Sequence, residues 1–196
     1  MRRRSSAAGL IGFALVAGCG YQLAGTRIRA PGEVRSVSVG QFENHSREYG
    51  LDRKIVFALE REFFRRGQLR LEEEPTTGEA LLTGTIRHFT THPVAFDADD
   101  EALQYEAELK VDVVLTRRSD GEVLWKASGL EAIEEYSVSQ TIVVPGSSQF
   151  QRGTLDLDDL AKLTDIQLAE TEKRLAIDRL VDSIVSDVHD RILDDF

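Results

Sequence analysis

The chain has 196 residues, with 34 acidic against 24 basic side chains and a net charge of −10; its first eighteen residues hold three arginines and no acid, so the remainder carries −13. That length suits one domain with a real core rather than two, and a single cysteine leaves no intrachain disulfide to help hold it. The charge excludes the basic footprint that nucleic acid requires and opposes broad adhesion to an anionic leaflet.

Arg2, Arg3 and Arg4 form a positive n-region, and Ala7 to Ala17 an apolar h-region of eleven residues, too short to span a bilayer as a helix. Val16-Ala17-Gly18-Cys19 follows. Small residues before a cleavage site are usual for a secretory signal. With the cysteine in register, the run resembles a bacterial lipobox, in which the Cys19 thiol receives a diacylglyceryl group before cleavage between Gly18 and Cys19. An ordinary signal peptide with a chance cysteine is the plainer alternative. Residues 1–18 are read as the signal peptide, 19–33 as an acylated N-terminus and tether broken by Gly25, Pro31 and Gly32, and 34–196 as a single domain. Membrane attachment then rests on acyl chains, each buried methylene giving about 0.8 kcal/mol. Gly20 occupies a place where aspartate tends to retain Gram-negative lipoproteins in the inner membrane, so by analogy it matches the outer-membrane type.

Val34 to Phe42 reads as a half-buried strand, Val37 and Val39 alternating with serines. After a turn at Glu43–Ser46, a helix is expected over Arg47–Arg66, with Leu51, Ile55, Ala58, Leu59, Glu62 and Phe63 at helical spacing and Gly67 as its stop. Leu69 and Leu71 mark a short strand, Glu72–Gly78 an acidic loop, and Ala80–His88 another strand. Leu103 to Leu115 alternates without a break, with Glu106, Glu108, Lys110 and Asp112 between, the mark of a long antiparallel strand with one wet face. Asp120-Gly121 is a hairpin turn signal, and the return strand from Val123 runs to about Ser139. Residues 140–155 lose periodicity and read as a loop. From about Asp156 a final helix carries the stripe Ile177, Val181, Ile184, Val188 and Ile192. About forty helical residues would extend about 60 Å, so a kink or overhang is expected near Thr171. This order describes an α+β sandwich with two helices on one sheet face.

Chemistry is harder to find. His88 and His92 lie at a strand end, where four residues span about 13 Å, too far to share a metal. Asp97, Asp99 and Glu101 alternate like calcium ligands, but the sharp-turn glycine and the bidentate glutamate are missing. There is no G-x-S-x-G elbow and no phosphate-binding glycine loop. Ser147-Ser148 has no recognisable base nearby. Asn44-His45-Ser46 matches a glycosylation sequon, a pattern of little weight beside a bacterial lipobox. Trp125 reads as core, as does the stripe on the final helix, although the length of that helix leaves a partner interface open. No catalytic residue, metal or cofactor is assigned, and no enzymatic activity is expected.

Several short runs, taken together, identify a family. Cys19-Gly20-Tyr21-Gln22-Leu23 resembles the mature start of lipopolysaccharide-assembly lipoproteins, the LptE family. Val37-Ser38-Val39, Phe42-Glu43-Asn44 and Gly50-Leu51 resemble its first strand and helix, and Ala80–Ile86 resembles its next strand. The long hairpin and final helix also fit. The resemblance implies two helices packed on one face of a mainly antiparallel, about four-stranded sheet. It implies an outer-membrane lipoprotein facing the periplasm, which assembles with and partly plugs the lipopolysaccharide-inserting β-barrel LptD, with lipopolysaccharide itself a candidate ligand. Only Cys19 is carried over as a functional residue. A surface of −13 disfavours lipid A phosphates unless cations cluster. Arg117, Arg118 and Lys126 flank the Asp120-Gly121 turn and are the candidate contact, against the plainer reading of a solvated tip whose charges can be reversed without cost to the fold. A competing function is a lipoprotein module that regulates a periplasmic or peptidoglycan-synthesis enzyme. The tether of about fourteen residues reaches at most roughly 50 Å, which favours a partner in the same membrane.

Overall fold

Val37 and Val39 point into the core from the first strand, β1 (Ser36–Asn44), in a computed structural model that describes residues 31–98, 100–138 and 157–194. The signal peptide, most of the tether, Asp99 and the expected loop at 140–155 lie outside the described residues. Asn44 closes β1 with a turn built from its own side chain. Its Oδ1 accepts hydrogen bonds from the Ser46 backbone N–H (2.9 Å) and from Ser46 Oγ (2.7 Å), while Nδ2 donates to the Glu48 carbonyl (2.8 Å). This turn occupies the residues from which a helical start was expected, so α1 runs Leu51–Arg66 rather than from Arg47. It ends at Gly67, whose φ of 65° is the left-handed conformation glycine adopts freely and whose N–H bonds the Phe63 carbonyl.

The remaining elements are β2 (Arg70–Leu71), β3 (Ala80–Phe96), β4 (Ala102–Arg117), β5 (Val123–Ser137) and α2 (Leu157–Asp194). They form one five-stranded sheet in the order β2-β1-β3-β4-β5. The α+β class is as expected, but the strand count and direction are corrected at one edge: β1 pairs in parallel with both β2 and β3, and only β3–β4–β5 is antiparallel. The cause is α1. A helix that carries the chain back along β1 returns it to the end where β1 began, so the strands that follow start in the same direction. Strand β3 also outruns the expected Ala80–His88. Its second half, with Thr90, Thr91, His92 and Pro93, lacks apolar alternation, yet β4 pairs with it as far as Phe96, with register shifts beside His88 and Pro93. Pro93 has no N–H to give the ladder, which accords with a bulge at that place.

Both helices cover one face, over a core that includes Leu82, Ile86, Leu109, Val111, Leu115, Trp125 and Leu130. Phe42 and Gly84 are cross-strand neighbours packed so closely that a Cβ on Gly84 would lie 2.3 Å from the Phe42 ring and 2.5 Å from the Asp112 carbonyl. The helices run parallel and are stitched by ion pairs in matching order: Lys54 to Asp178, Arg61 to Asp182 (2.6 Å) and Arg66 to Asp190. Helix α2 is one element from Leu157 to Asp194. At Thr171 the hydroxyl donates to the Gln167 carbonyl (2.8 Å), and full burial begins only at Ala176 among the described side chains. There α2 reaches beyond α1 to cover the far halves of the long strands. Lys173 donates to Glu48 (2.7 Å) and sits 5.8 Å above the Phe89 ring, and Tyr105 stacks on Tyr136 with centroids 5.5 Å apart.

Candidate functional site

The sheet face away from the helices is a ladder of polar pairs. Arg87 Nε donates to Asp112 Oδ2 (2.6 Å) and the Gly129 N–H to Asp112 Oδ1 (2.7 Å). The Arg87 hydrogen bond first, then that of Gly129, hold the Asp112 carboxyl below its usual range. Lys110 bridges Glu108 (2.5 Å) and Glu131 (3.4 Å), and its hydrogen bond is the main cause that keeps the Glu108 pKa low. His88 meets Glu108 at 3.2 Å and His92 meets Glu106 at 3.0 Å, so each histidine has its own carboxylate. Among the described residues no three His, Cys, Asp or Glu side chains converge as metal ligands. In the acidic turn, Asp97 Oδ1 accepts the Glu101 N–H (2.9 Å) and shapes the turn itself.

The hairpin cations meet different partners. Arg117 pairs with Asp120 (3.0 Å) and Glu122 and reaches the Gly32 carbonyl (3.5 Å). Arg118 turns to the backbone of the β2–β3 loop. It donates to the Gly78 carbonyl (2.9 Å), to Ser38 Oγ (3.1 Å) and to the Pro75 carbonyl. Lys126 stands opposite Val114, near the Asp112 charge. The clamp made by Arg118 had no signal in the sequence, because its acceptors are two carbonyls and a hydroxyl forty or more positions away.

The α1–α2 seam holds two polar groups at core depth. Glu62, which shares the apolar face of α1, receives Arg65 (2.7 Å) and Arg66 (2.5 Å). Burial opposes its charge, but the two arginines outweigh burial and keep the carboxyl ionised below its ordinary range. Three- and four-residue spacing to two arginines is the sequence signal for this group. His189 is 1% exposed and tilted against Phe63 with centroids 5.3 Å apart; Nδ1 stands 3.6 Å from Asp190, outside hydrogen-bond reach, and neither ring nitrogen has a hydrogen-bond partner among the described residues.

The outward face of α1, with the residue just before it, carries the most exposed aromatic side chains among the described residues. Phe57 is 68% exposed and Phe64 80%, two turns apart on the same side of the helix, and Tyr49 just before the helix is 98% exposed. Beside Phe57 lies a groove of about 490 Å³ between α1 and β1, lined by Gly40, Gln41, Phe42, Val56, Phe57 and Pro75. Asp52, Arg53 and Glu60 also line it. Exposed aromatics beside an apolar groove are a mark of protein docking, whereas the polar sheet face satisfies itself. Cys19 and Gly18 lie outside the described residues. No helix among the described residues is long and apolar enough to cross a membrane.

A family model described as "LptE: Lipopolysaccharide-assembly" matches residues 34–192, which takes in all five strands, α1 and nearly all of α2. No curated protein matches the chain. Among solved structures, a hypothetical protein from Chlamydia trachomatis is 14% identical over 80% of this chain and 96% of that one, with a TM-score of 0.46. PelC from Paraburkholderia phytofirmans is 14% identical over 82% and 93%, with a TM-score of 0.43. The rare lipoprotein B from Shewanella oneidensis is 19% identical over 77% and 98%, with a TM-score of 0.34.

Proposed function

The chain belongs to the LptE lipopolysaccharide-assembly family, and from that premise we propose that it is a non-enzymatic lipoprotein of the outer membrane. In this reading Cys19 is acylated after cleavage behind Gly18, and the acyl chains hold the protein on the periplasmic side. The folded part assembles with the lipopolysaccharide-inserting β-barrel LptD, partly plugs it and supports lipopolysaccharide transport to the cell surface. The observation that carries the reading is the family match across both helices and every strand. The polar sheet face supports a structural role, because its carboxylates are engaged by arginine, lysine, histidine and backbone donors rather than poised as a free acid and base. In this reading Arg117, Arg118 and Lys126 stay the candidate lipopolysaccharide contact, weakened at the two arginines. Two carboxylates offset Arg117, and Arg118 is spent on the loop.

Depletion in the cell tests this. Lipopolysaccharide should accumulate in the inner membrane, and the amount of folded barrel should fall. Unchanged surface lipopolysaccharide together with unchanged barrel would overturn the assignment.

A further inference from the structure

Strand β1 is an edge for most of its length. β2 pairs only with Ser36 and Val37, whereas β1 runs on to Asn44. From Val39 onward no strand among the described residues occupies the β2 side. An unpaired edge presents backbone N–H and C=O groups to any chain that can lie along it. Here the edge also forms one wall of the groove, with Val56 and Phe57 on the other and Pro75 at the end, where the Arg118-clamped loop stops. The bulge between Val39 and Phe42 keeps this edge from being a flat template, so a fitting segment must fill the groove as well as pair with the strand.

We propose that this edge and groove receive an extended segment of a partner protein, which adds to β1 in the lane β2 leaves empty. β2 shows that the lane accepts a strand parallel to β1. Strand addition takes affinity from main-chain hydrogen bonds and specificity from pockets for alternate side chains. Aliphatic side chains of the segment meet Val56 and Phe57, and Phe64 extends the apolar surface along α1. Asp52 and Glu60 outnumber Arg53 on the groove wall, so the complementary segment carries a lysine or arginine there. The same acidic excess, in a mature chain of −13, argues against an anionic lipid surface as the occupant. With the barrel as partner, the inference rests on the function proposed above.

The test places a photo-crosslinking amino acid at exposed Gln41 in the full-length, acylated protein, expressed in its own cells and purified after irradiation. The expected product is an adduct to one continuous extended segment of the barrel. Phe57→Glu should reduce that adduct at least tenfold while the unfolding midpoint of the protein stays put. Phe57→Ala, which adds no charge, should reduce it less. If the barrel co-purifies but Gln41 gives no adduct to it, or Phe57→Glu leaves the adduct unchanged, the docking inference is wrong and the barrel partnership stands. Failure to recover the barrel at all removes the partnership and this inference with it. An adduct to phospholipid makes the face a membrane surface and also overturns the inference.

Discussion

His189 is the side chain whose surroundings have the most to say about stability. Burial first, then the nearby Arg66 guanidinium, push its pKa below the ordinary 6.5, against weaker upward pulls from Asp190 and Glu62. The unfolded chain therefore binds the proton more tightly than the folded one. The stability contributed by the neutral imidazole is complete above about pH 6.5 and is lost as the pH falls through the folded-state value. Urea unfolding of the wild type and of His189→Leu between pH 7.5 and 5.5 checks this: the wild type should lose stability toward acid relative to the variant. Parallel pH dependence in the two proteins would assign the acid sensitivity elsewhere. Arg118 makes the second residue-scale prediction. It is exposed, yet it joins three acceptors on two segments, so Arg118→Ala should cost about 1 kcal/mol, at the modest end for charged hydrogen bonds because solvent screens them. Arg117→Ala removes solvent-screened ion pairs only and should cost less than Arg118→Ala. Equal losses in chemical denaturation would show that the clamp contributes nothing.

Strand identity depends on pattern, whereas strand neighbours depend on what the chain does between strands. Leu109, Val111, Val113 and Leu115 announce β4 because one face is dry and the other wet, and all four are fully buried. Gly84 shows what pattern reading passes over. It falls between Leu82 and Ile86 on the apolar face of the strand, yet its missing side chain is the space into which the Phe42 ring packs. Gly84→Ala should therefore destabilise by roughly 1–3 kcal/mol through overpacking, measured as a lower denaturation midpoint; an unchanged midpoint would mean that Phe42 moves aside freely. The parallel pairing of β1 with β3 had no residue-level signal either, since it follows from the return path of α1. Helix α2 was legible from Ile177 to Ile192, because its stripe meets the core. The seam beside it was only half legible: the Glu62–arginine spacing stands out in the sequence, but a lone histidine among valines does not reveal that its ring nitrogens have no hydrogen-bond partner among the described residues.

At the scale of the molecule, the proposed anchor and the proposed docking face rest on different kinds of signal. The lipobox is a linear motif, so Cys19 can be singled out before any folding is considered. The groove exists because β2 is two residues long and leaves the rest of β1 open, a property of assembled strands that no local run encodes. Anchor and fold are also separable in energy. Among the described residues burial begins at Val34, and the Arg35 N–H is held by Glu79 at 2.7 Å. Cys19→Ala should accordingly leave the unfolding midpoint unchanged while the protein shifts from the membrane pellet to a soluble form or an uncleaved precursor. Its effect on the barrel should be one of concentration rather than contact. A short flexible tether holds a module near its target at an effective concentration in the millimolar range, and losing it weakens association without altering the interface. Overexpression of Cys19→Ala that reaches the periplasm should then restore barrel recovery, whereas overexpressed Phe57→Glu should restore it poorly. Mass spectrometry of the natural N-terminus sets the premise: an unmodified Cys19, or cleavage at another bond, would refute the anchor, and a lowered midpoint for Cys19→Ala would refute its independence from the fold.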